Sequence, residues 1–217
     1  MRAVIHMLAI GLFGQSRSLA TLPRRPEIVG LGLTDPHCYA EALAAKFAYT
    51  NTRLHVPPFL DICAEVGDRR ASADFLIASD VFEHIMPPVQ RAFDNAWQLL
   101  KPGGVFAFSV PWGESASTHE HYPNALQIAP VQHRGEWVVL ARNKDGSLTL
   151  HENPIFHGGA GFTVEMRLFC RSALVDHFAR AGFVDIEFME CEVPQFGIFY
   201  TAWSRPLVAR KPAHALG

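Results

Sequence analysis

The stretch that decides the fold is ADFLIASDVFEHIMPPVQRAFDNAWQLLKPGGVFAFSV, residues 73–110. It opens on a near-continuous apolar run of strand length, which is typical of a parallel strand covered by helices on both faces. The segment PPVQRAFDNAWQLL then carries a helical stripe of apolar residues, and Lys101-Pro102-Gly103-Gly104 indicates the end of that helix before the strand VFAFSV. Strand, helix and strand in this order predict an α/β fold with a doubly wound, mostly parallel sheet.

The same alternation continues on both sides of this stretch. Upstream, EIVGLGL (27–33) predicts a strand, HCYAEALAAKF (37–47) a helix, and residues 50–55 a second strand that Pro57 and Pro58 must end. Downstream, SALVDHFARAG (172–182) predicts a helix that ends at its glycine, followed by two closing strands in residues 183–193 and 197–211. Residues 112–169 instead predict a hairpin, EWVVLAR and SLTLHE around Asn143–Gly146. We therefore expect a single domain, 1–217, with a cap inserted at about 112–170.

Composition narrows the classes of partner. The 217 residues are 49% hydrophobic, with 19 basic and 21 acidic side chains, so the chain lacks the positive charge that draws proteins to nucleic acid or anionic membranes. Its four cysteines form no CxxC pair, which favours reduced thiols and a cytoplasmic location. The N-terminal run RAVIHMLAIGLFG has features of a short secretion signal, but His6 interrupts it and it is too short to span a membrane. A helix or strand packed on the domain is the preferred interpretation.

An ordered set of motifs points to a family. The segments GLGLTD, FLDI, ADFLIASDVFEHI, LLKPGG and VFAFSVP resemble, in this order, the class I S-adenosylmethionine-dependent methyltransferases, in particular those that read DVxEH after the fourth strand. The resemblance covers Glu27–Trp112 well and the remainder more loosely, and EHYPN, FHGGAGFTVEMRLF and AWSRPLVARK look like one bacterial subfamily. It implies a Rossmann-like sheet, S-adenosyl-L-methionine as cofactor and methyl transfer to an oxygen or nitrogen atom of a small-molecule acceptor. A homodimer is compatible with this resemblance.

The resemblance also implies a cofactor site at the carboxyl ends of the central strands. Glycines after the first strand let the backbone approach the ligand, Asp61 accepts a hydrogen bond from the adenine amino group, and Ile62 covers the ring. An acid at the end of the fourth strand favours the positive sulfur electrostatically. The predicted cofactor-binding residues are Gly30, Gly32, Thr34, Asp35, Asp61, Ile62, Ser79, Asp80 and Val81.

Two assignments of GLGLTD are open. If it ends the first strand, almost no room is left for a third strand before Asp61. If it ends the second, the first strand lies in AVIHMLAIGLFGQS, residues 3–16, with Gly11 and Gly14 as a weak glycine loop; this second assignment is the one we favour. Asp35 then either reaches the ribose or caps the following helix.

Three histidines are the predicted catalytic residues: His84, His121 and His157. An imidazole near neutrality can position an acceptor or remove its proton, although each histidine has a purely structural alternative and methyl transfer needs no strong base. His121 and His157 stand near Glu120 and Glu165, but neither group shows a metal-binding spacing, so no metal is predicted.

The cap offers further candidates for the acceptor pocket. Its aromatic residues suit either the pocket wall or the core, and Arg167 either binds an acceptor anion or pairs with Glu165; the aromatic residues are Trp112, Tyr122, Phe156 and Phe162. Two other functions stay open: a methyltransferase-like binding or scaffold protein without catalysis, and a metal-dependent hydrolase that uses the cap histidines.

Overall fold

The computed structural model describes residues 2–199 and 204–214 and has a six-stranded sheet at its centre. The helices are α1 (Arg2–Phe13), α2 (His37–Ala44), α3 (Gln90–Leu99) and α4 (Arg171–Ala181). The strands are β1 (Arg25–Leu33), β2 (Phe47–Thr52), β3 (Ala73–Ser79), β4 (Leu100–Ser109), β5 (Trp112–Gly113), β6 (His119–Glu120), β7 (Ala125–His133), β8 (Glu136–Asn143), β9 (Leu148–Glu152), β10 (Phe156–His157), β11 (Thr163–Val164), β12 (Arg167–Cys170), β13 (Val184–Phe188) and β14 (Leu207–Arg210).

The central sheet has the order β13-β14-β4-β3-β1-β2. The pairs β2–β1, β1–β3 and β3–β4 are parallel, and β14 runs antiparallel to both of its neighbours. The predicted doubly wound, mostly parallel α/β fold is confirmed. Part of the last predicted strand, residues 200–203, lies outside the described residues.

The first-strand assignment favoured from the sequence is wrong. Residues 2–13 form α1, which packs against β4 and β14, and the strand that contains Gly30 and Gly32 lies directly between β2 and β3. Six consecutive residues of α1, Val4–Ala9, are buried, so its apolar run reflects a helix enclosed by the domain. Within the described residues, no helix has the length and apolar character needed to cross a membrane.

The segment between β2 and β3 explains why the sequence left open whether GLGLTD ends the first or the second strand. It contains a bridge between Arg53 and Phe59 and a 3-10 turn at Gly67–Arg69, but no strand. The sheet therefore has β2 at its edge, and β2 itself ends at Thr52, earlier than the predicted second strand. The third strand that the resemblance implies has no counterpart in this segment.

Helices cover both faces of the sheet, as the apolar β3 predicts. Phe75 and Ile77 pack on the face of α1 and α2, whereas Leu76 and Ala78 pack on the face of α3 and α4. Successive residues of a strand point to opposite faces, so a strand that is buried on both sides must be apolar at every position. Gly182, in the left-handed conformation at φ 95°, ends α4 as predicted.

The cap between β4 and α4 consists of short sheets. The predicted hairpin is β8 and β9, and β7 extends it to a three-stranded antiparallel sheet. β12 pairs with β5 and β6 beside the central sheet, and β10 pairs with β11. The backbone amide of Met166 donates to the carbonyl of Glu83 at 2.7 Å, which fixes the cap to the segment after β3.

Candidate active site

The carboxyl ends of β1 and β3 meet where the strand order changes direction. The chain passes from β1 to β2 on one side and returns to β3 on the other. In open α/β sheets this switch point forms the crevice in which ligands bind. The residues at the ends of the two strands, Thr34–Asp35 and Ser79–Asp80, are therefore the first candidates for a ligand site.

The two glycines of β1 make room for aromatic side chains. A Cβ atom added at Gly30 would lie 2.0 Å from the Phe75 ring, and one added at Gly32 would lie 1.9 Å from the Tyr49 hydroxyl oxygen. Tyr49 stacks on Phe75 with a centroid distance of 6.0 Å. The space that both glycines leave is filled by the protein itself, so packing explains them without a ligand.

Asp35 is buried and its side chain is occupied. Its carboxylate accepts a hydrogen bond from the Tyr39 hydroxyl at 2.5 Å and a second one from the Tyr49 hydroxyl. Burial raises the pKa of Asp35 from 3.8 to about 6, and the two hydroxyl donors oppose part of that increase. The predicted helix cap is wrong, since α2 begins after Pro36 and no side chain caps it.

Backbone contacts close the turn after β1. Thr34 has a left-handed φ of 59°, and its amide donates to the Thr52 carbonyl at 2.7 Å. The Asp35 amide donates to Oδ1 of Asn51 at 2.8 Å. The predicted ribose contact of Asp35 therefore requires its carboxylate to leave two tyrosines.

The segment Asp61–Ile62 lies on the other face of the sheet. The Asp61 carboxylate is exposed and accepts from the Cys63 amide at 2.8 Å, while Ile62 is buried in the core of that face. The Asn95 amide of α3 donates to the Ile62 carbonyl at 2.7 Å. Helix α3 thus holds this loop in place and leaves one Asp61 oxygen to the outside.

Asp80 faces an open cleft at the end of β3. The cleft has a volume of about 500 Å³ and is lined by Asp80, Pro111, His157, Glu165, Leu168 and Ser204. The Asp80 carboxylate accepts long hydrogen bonds, 3.4 Å each, from the hydroxyls of Ser79 and Ser109. Its φ of 55° turns the chain sharply, and the next residue, Val81, packs partly buried against the core.

Glu165 brings two of the three predicted catalytic histidines together. His121 Nε2 donates to one of its carboxylate oxygens and His157 Nε2 to the other, both at 2.9 Å. The Glu165 side chain is only 7% exposed, whereas His157 is 31% exposed and lines the cleft. Glu165 therefore fixes the orientation of both rings.

His84 lies beside His157 but contacts different partners. Its Nδ1 donates to the Val164 carbonyl at 2.8 Å, which is the contact that the structural alternative for this residue predicts. The His84 and His157 rings meet edge to face with centroids 4.7 Å apart. His84, His121 and His157 are far apart in sequence, and the fold thus brings them together beside the cleft.

Glu83 is the buried centre of this group. Its side chain is fully buried, and Oε1 lies 3.6 Å from His84 Nε2 and 3.6 Å from His157 Nδ1. Burial raises the pKa of Glu83, and the two imidazoles oppose that increase. The sequence places Glu83 beside the site but offers no sign that its carboxylate turns inward.

Most of the other cap residues predicted for the acceptor pocket lie in the core, and Phe162 is the exception. Trp112 and Tyr122 are buried, Phe156 is partly buried in the core of the cap, and Phe162 is exposed. Arg167 is fully buried and pairs with Glu120 at 2.6 Å, so the alternative in which it pairs with Glu165 is wrong. It also donates to the Phe82 carbonyl at 2.9 Å, which ties β12 to the segment after β3.

Residues 32–108 match the family model described as a methyltransferase domain, a little over a third of the chain. Over this segment the chain is similar to methyltransferase domains. The match and the mostly parallel α/β sheet agree with the resemblance to class I S-adenosylmethionine-dependent methyltransferases that the sequence motifs indicate. No curated protein sequence matches the chain.

Three solved structures show how widely this fold is shared. The 1,6-didemethyltoxoflavin-N1-methyltransferase of Burkholderia thailandensis is 18% identical with a TM-score of 0.50, over 97% of this chain and 76% of that one. The CurJ carbon methyltransferase is 14% identical with a TM-score of 0.56, over 98% of this chain and 54% of that one. The glycopeptide N-methyltransferase MtfA is 15% identical with a TM-score of 0.50, over 89% and 90%. This chain spans about half the length of the CurJ structure.

The residues at the edge fit the cofactor on the β3 side. Asp80 presents a carboxylate to the cleft with two long hydrogen bonds to serine hydroxyls, so it has capacity for a positively charged partner. On the β1 side the fit is poorer, because tyrosines occupy the carboxylate that was predicted for the ribose.

Proposed function

We propose that the methyltransferase domain binds S-adenosylmethionine across the carboxyl ends of β1 and β3 and methylates an oxygen or nitrogen atom of a small-molecule acceptor. The observation that carries this proposal is the Asp80 carboxylate, which follows the carboxyl end of β3 and faces a cleft of about 500 Å³ between that end and the cap. The cofactor supplies an electrophilic methyl group on a positively charged sulfur.

In this proposal Asp80 favours the positive charge of the ligand and Asp61 accepts from the adenine amino group. A carboxylate that faces a cleft attracts a cation more strongly than one in bulk water does, because the protein lowers the local dielectric constant. Ile62 lies next to Asp61 and is fixed through Asn95, so it provides an apolar surface of defined position. The turn at Gly30, Gly32, Thr34 and Asp35 acts mainly by shaping the end of β1.

The cap histidines orient the acceptor. His157 lines the cleft and is held through Nε2 by Glu165, and His121 is held by the other oxygen of the same carboxylate. Fixed rings of this kind can position an acceptor and exclude water from the cleft. His84 contacts the cap backbone and supports this arrangement.

Calorimetric titration tests the cofactor site directly. We expect Asp80→Asn to weaken S-adenosylmethionine about tenfold, roughly 1.4 kcal/mol, and to weaken S-adenosylhomocysteine less, because only the former has a charged sulfur. Asp176→Asn, on the exposed surface of α4, is the matched control and should leave both affinities unchanged. Equal affinities in the Asp80 variant and the wild type would contradict the proposed role.

Activity is measured with radiolabelled S-adenosylmethionine and a panel of phenols, carboxylates and amines. Methyl incorporation into one acceptor class that His157→Ala reduces would support the proposal. Tight cofactor binding without incorporation into any acceptor would favour the alternative of a binding protein without catalysis, which the occupied Asp35 also favours.

A further inference from the structure

Three side chains next to the cleft place possible metal ligands at the spacing of a coordination sphere. Glu83 Oε1 lies 3.6 Å from both His84 Nε2 and His157 Nδ1, and the three groups lie within 4.8 Å of one another. Zinc binds imidazole nitrogen and carboxylate oxygen at about 2.0–2.2 Å, so the ligands of a tetrahedral site are separated by about 3.3–3.6 Å. Two of the three spacings fall at the upper end of this range.

The carboxylate at the centre lacks the contacts that a buried charge needs. The Glu83 side chain is fully buried, and neither oxygen has a hydrogen-bond partner among residues 2–199 and 204–214. Buried charges are normally paired through hydrogen bonds or coordinate a metal, because the loss of hydration is otherwise uncompensated. Distances of 3.6 Å to the imidazoles are too long for hydrogen bonds.

The two imidazoles are already oriented by their outer nitrogens. His84 Nδ1 donates to the Val164 carbonyl at 2.8 Å, and His157 Nε2 donates to the Glu165 carboxylate at 2.9 Å. The inner nitrogens, His84 Nε2 and His157 Nδ1, are the ones that face Glu83. Metal-binding histidines show this same pattern, with the second nitrogen bonded to a carboxylate or backbone carbonyl.

We propose that Glu83, His84 and His157 bind one divalent transition-metal ion, zinc being the first candidate. Two nitrogen ligands and one oxygen ligand suit zinc, and three protein ligands leave a fourth position for water or another molecule. The site differs from the sequence-based expectation, which considered the cap histidines alone and predicted no metal. Glu83 and His84 come from the segment after β3, and His157 comes from the cap.

The open side of this site is the side of the cleft. His84 is 15% and His157 31% exposed, whereas Glu83 is fully buried, so an ion is accessible from the histidine side. A metal with an open position lowers the pKa of a bound hydroxyl. If the proposed function holds, on which this extension rests, acceptors with a hydroxyl group that coordinates the ion are favoured over amines.

The test uses the full chain without cofactor or acceptor, so its outcome does not depend on methyl transfer. After removal of metal with a chelator, zinc is titrated calorimetrically, and cobalt is added in parallel to read the coordination geometry from its visible absorption. We expect one ion per chain with tetrahedral cobalt absorption. Glu83→Gln and His157→Ala should each weaken binding by more than about a hundredfold, and Glu165→Gln, which removes a second-sphere charge, by about 10- to 100-fold.

His37→Ala is the matched control, since this exposed histidine also lies near a glutamate, Glu41, at 3.7 Å. It should bind zinc as the wild type does. Circular dichroism establishes that each variant is folded, and the conservative Glu83→Gln keeps the shape of the site. A folded wild type that binds no zinc, or equal binding by the wild type and the Glu83 and His157 variants, would overturn the proposal.

Discussion

The ends of the neighbouring strands β1 and β3 carry the same type of residue in opposite environments. Asp35 follows β1 and is 5% exposed, with its carboxylate bound to two tyrosine hydroxyls. Asp80 follows β3 and faces the cleft with two long hydrogen bonds at 3.4 Å. The difference comes from the elements packed beside each acid. At the end of β1, α2 supplies Tyr39 and β2 supplies Tyr49, and both hydroxyls bind Asp35. An acid after a central strand is a ligand-binding candidate only where the adjacent elements leave it unsatisfied.

Substitution of Gly30 in β1 tests whether the end of β1 is filled by the protein's own side chains. It should have the largest effect on stability. The Cβ of Gly30→Ala would lie 2.0 Å from the Phe75 ring in the core. We expect a loss of about 3 kcal/mol in the free energy of unfolding, because overpacking forces aromatic side chains out of position. Urea denaturation measures it.

Gly113→Ala is the control, since its added Cβ has no described atom within 4 Å. It should change the unfolding free energy little. A stable Gly30→Ala variant with weakened cofactor binding would mean that the glycine makes room for ligand instead of for Phe75.

The pH dependence of stability should show the ionisation of the buried Asp35 carboxyl group. Its pKa rises from 3.8 to about 6 on folding, so the folded state holds the proton more tightly. The free energy of unfolding should therefore fall as the pH rises from about 4 to 6, by about 2–3 kcal/mol, and then level off. Denaturation at several pH values, compared between wild type and Asp35→Asn, isolates this contribution.

The Asn variant should show no such fall, because its side chain does not ionise. Parallel curves for the two proteins would contradict the buried, protonatable Asp35. Asp35 contacts three polar side chains: the hydroxyls of Tyr39 and Tyr49 and the amide of Asn51.

Tyr49→Phe should have the smallest effect and sharpen the contrast between the two ends. It removes one hydrogen bond to Asp35 but keeps the ring on Phe75, which should cost about 1–2 kcal/mol of stability. Cofactor affinity should stay as in the wild type. A loss of affinity similar to that expected for Asp80→Asn would place Asp35 in the ligand site after all.

The sequence predicts the sheet well because residues 75–78 of β3 are all apolar. The prolines and glycines that flank the α3 segment also mark its two ends in the sequence. The sequence misassigned residues 2–13, since an enclosed helix is apolar all round and resembles a strand in composition. It named His84, His121 and His157 as individual candidates. It could not pair them with Glu83 and Glu165, because these contacts join positions as far apart as 83 and 157, and no periodicity encodes such contacts.

A crystal structure with S-adenosylhomocysteine bound tests the central claim most directly. We predict the sulfur beside Asp80 at the end of β3, the adenine beside Asp61 and Ile62, and Asp35 still bonded to its tyrosines. The rival location is the cavity of about 460 Å³ between α1 and α2, lined by Ile5, Tyr39, Phe196 and others. A nucleoside in that cavity, or a ligand with Asp35 on its ribose and Asp80 remote from the sulfur, would contradict the account.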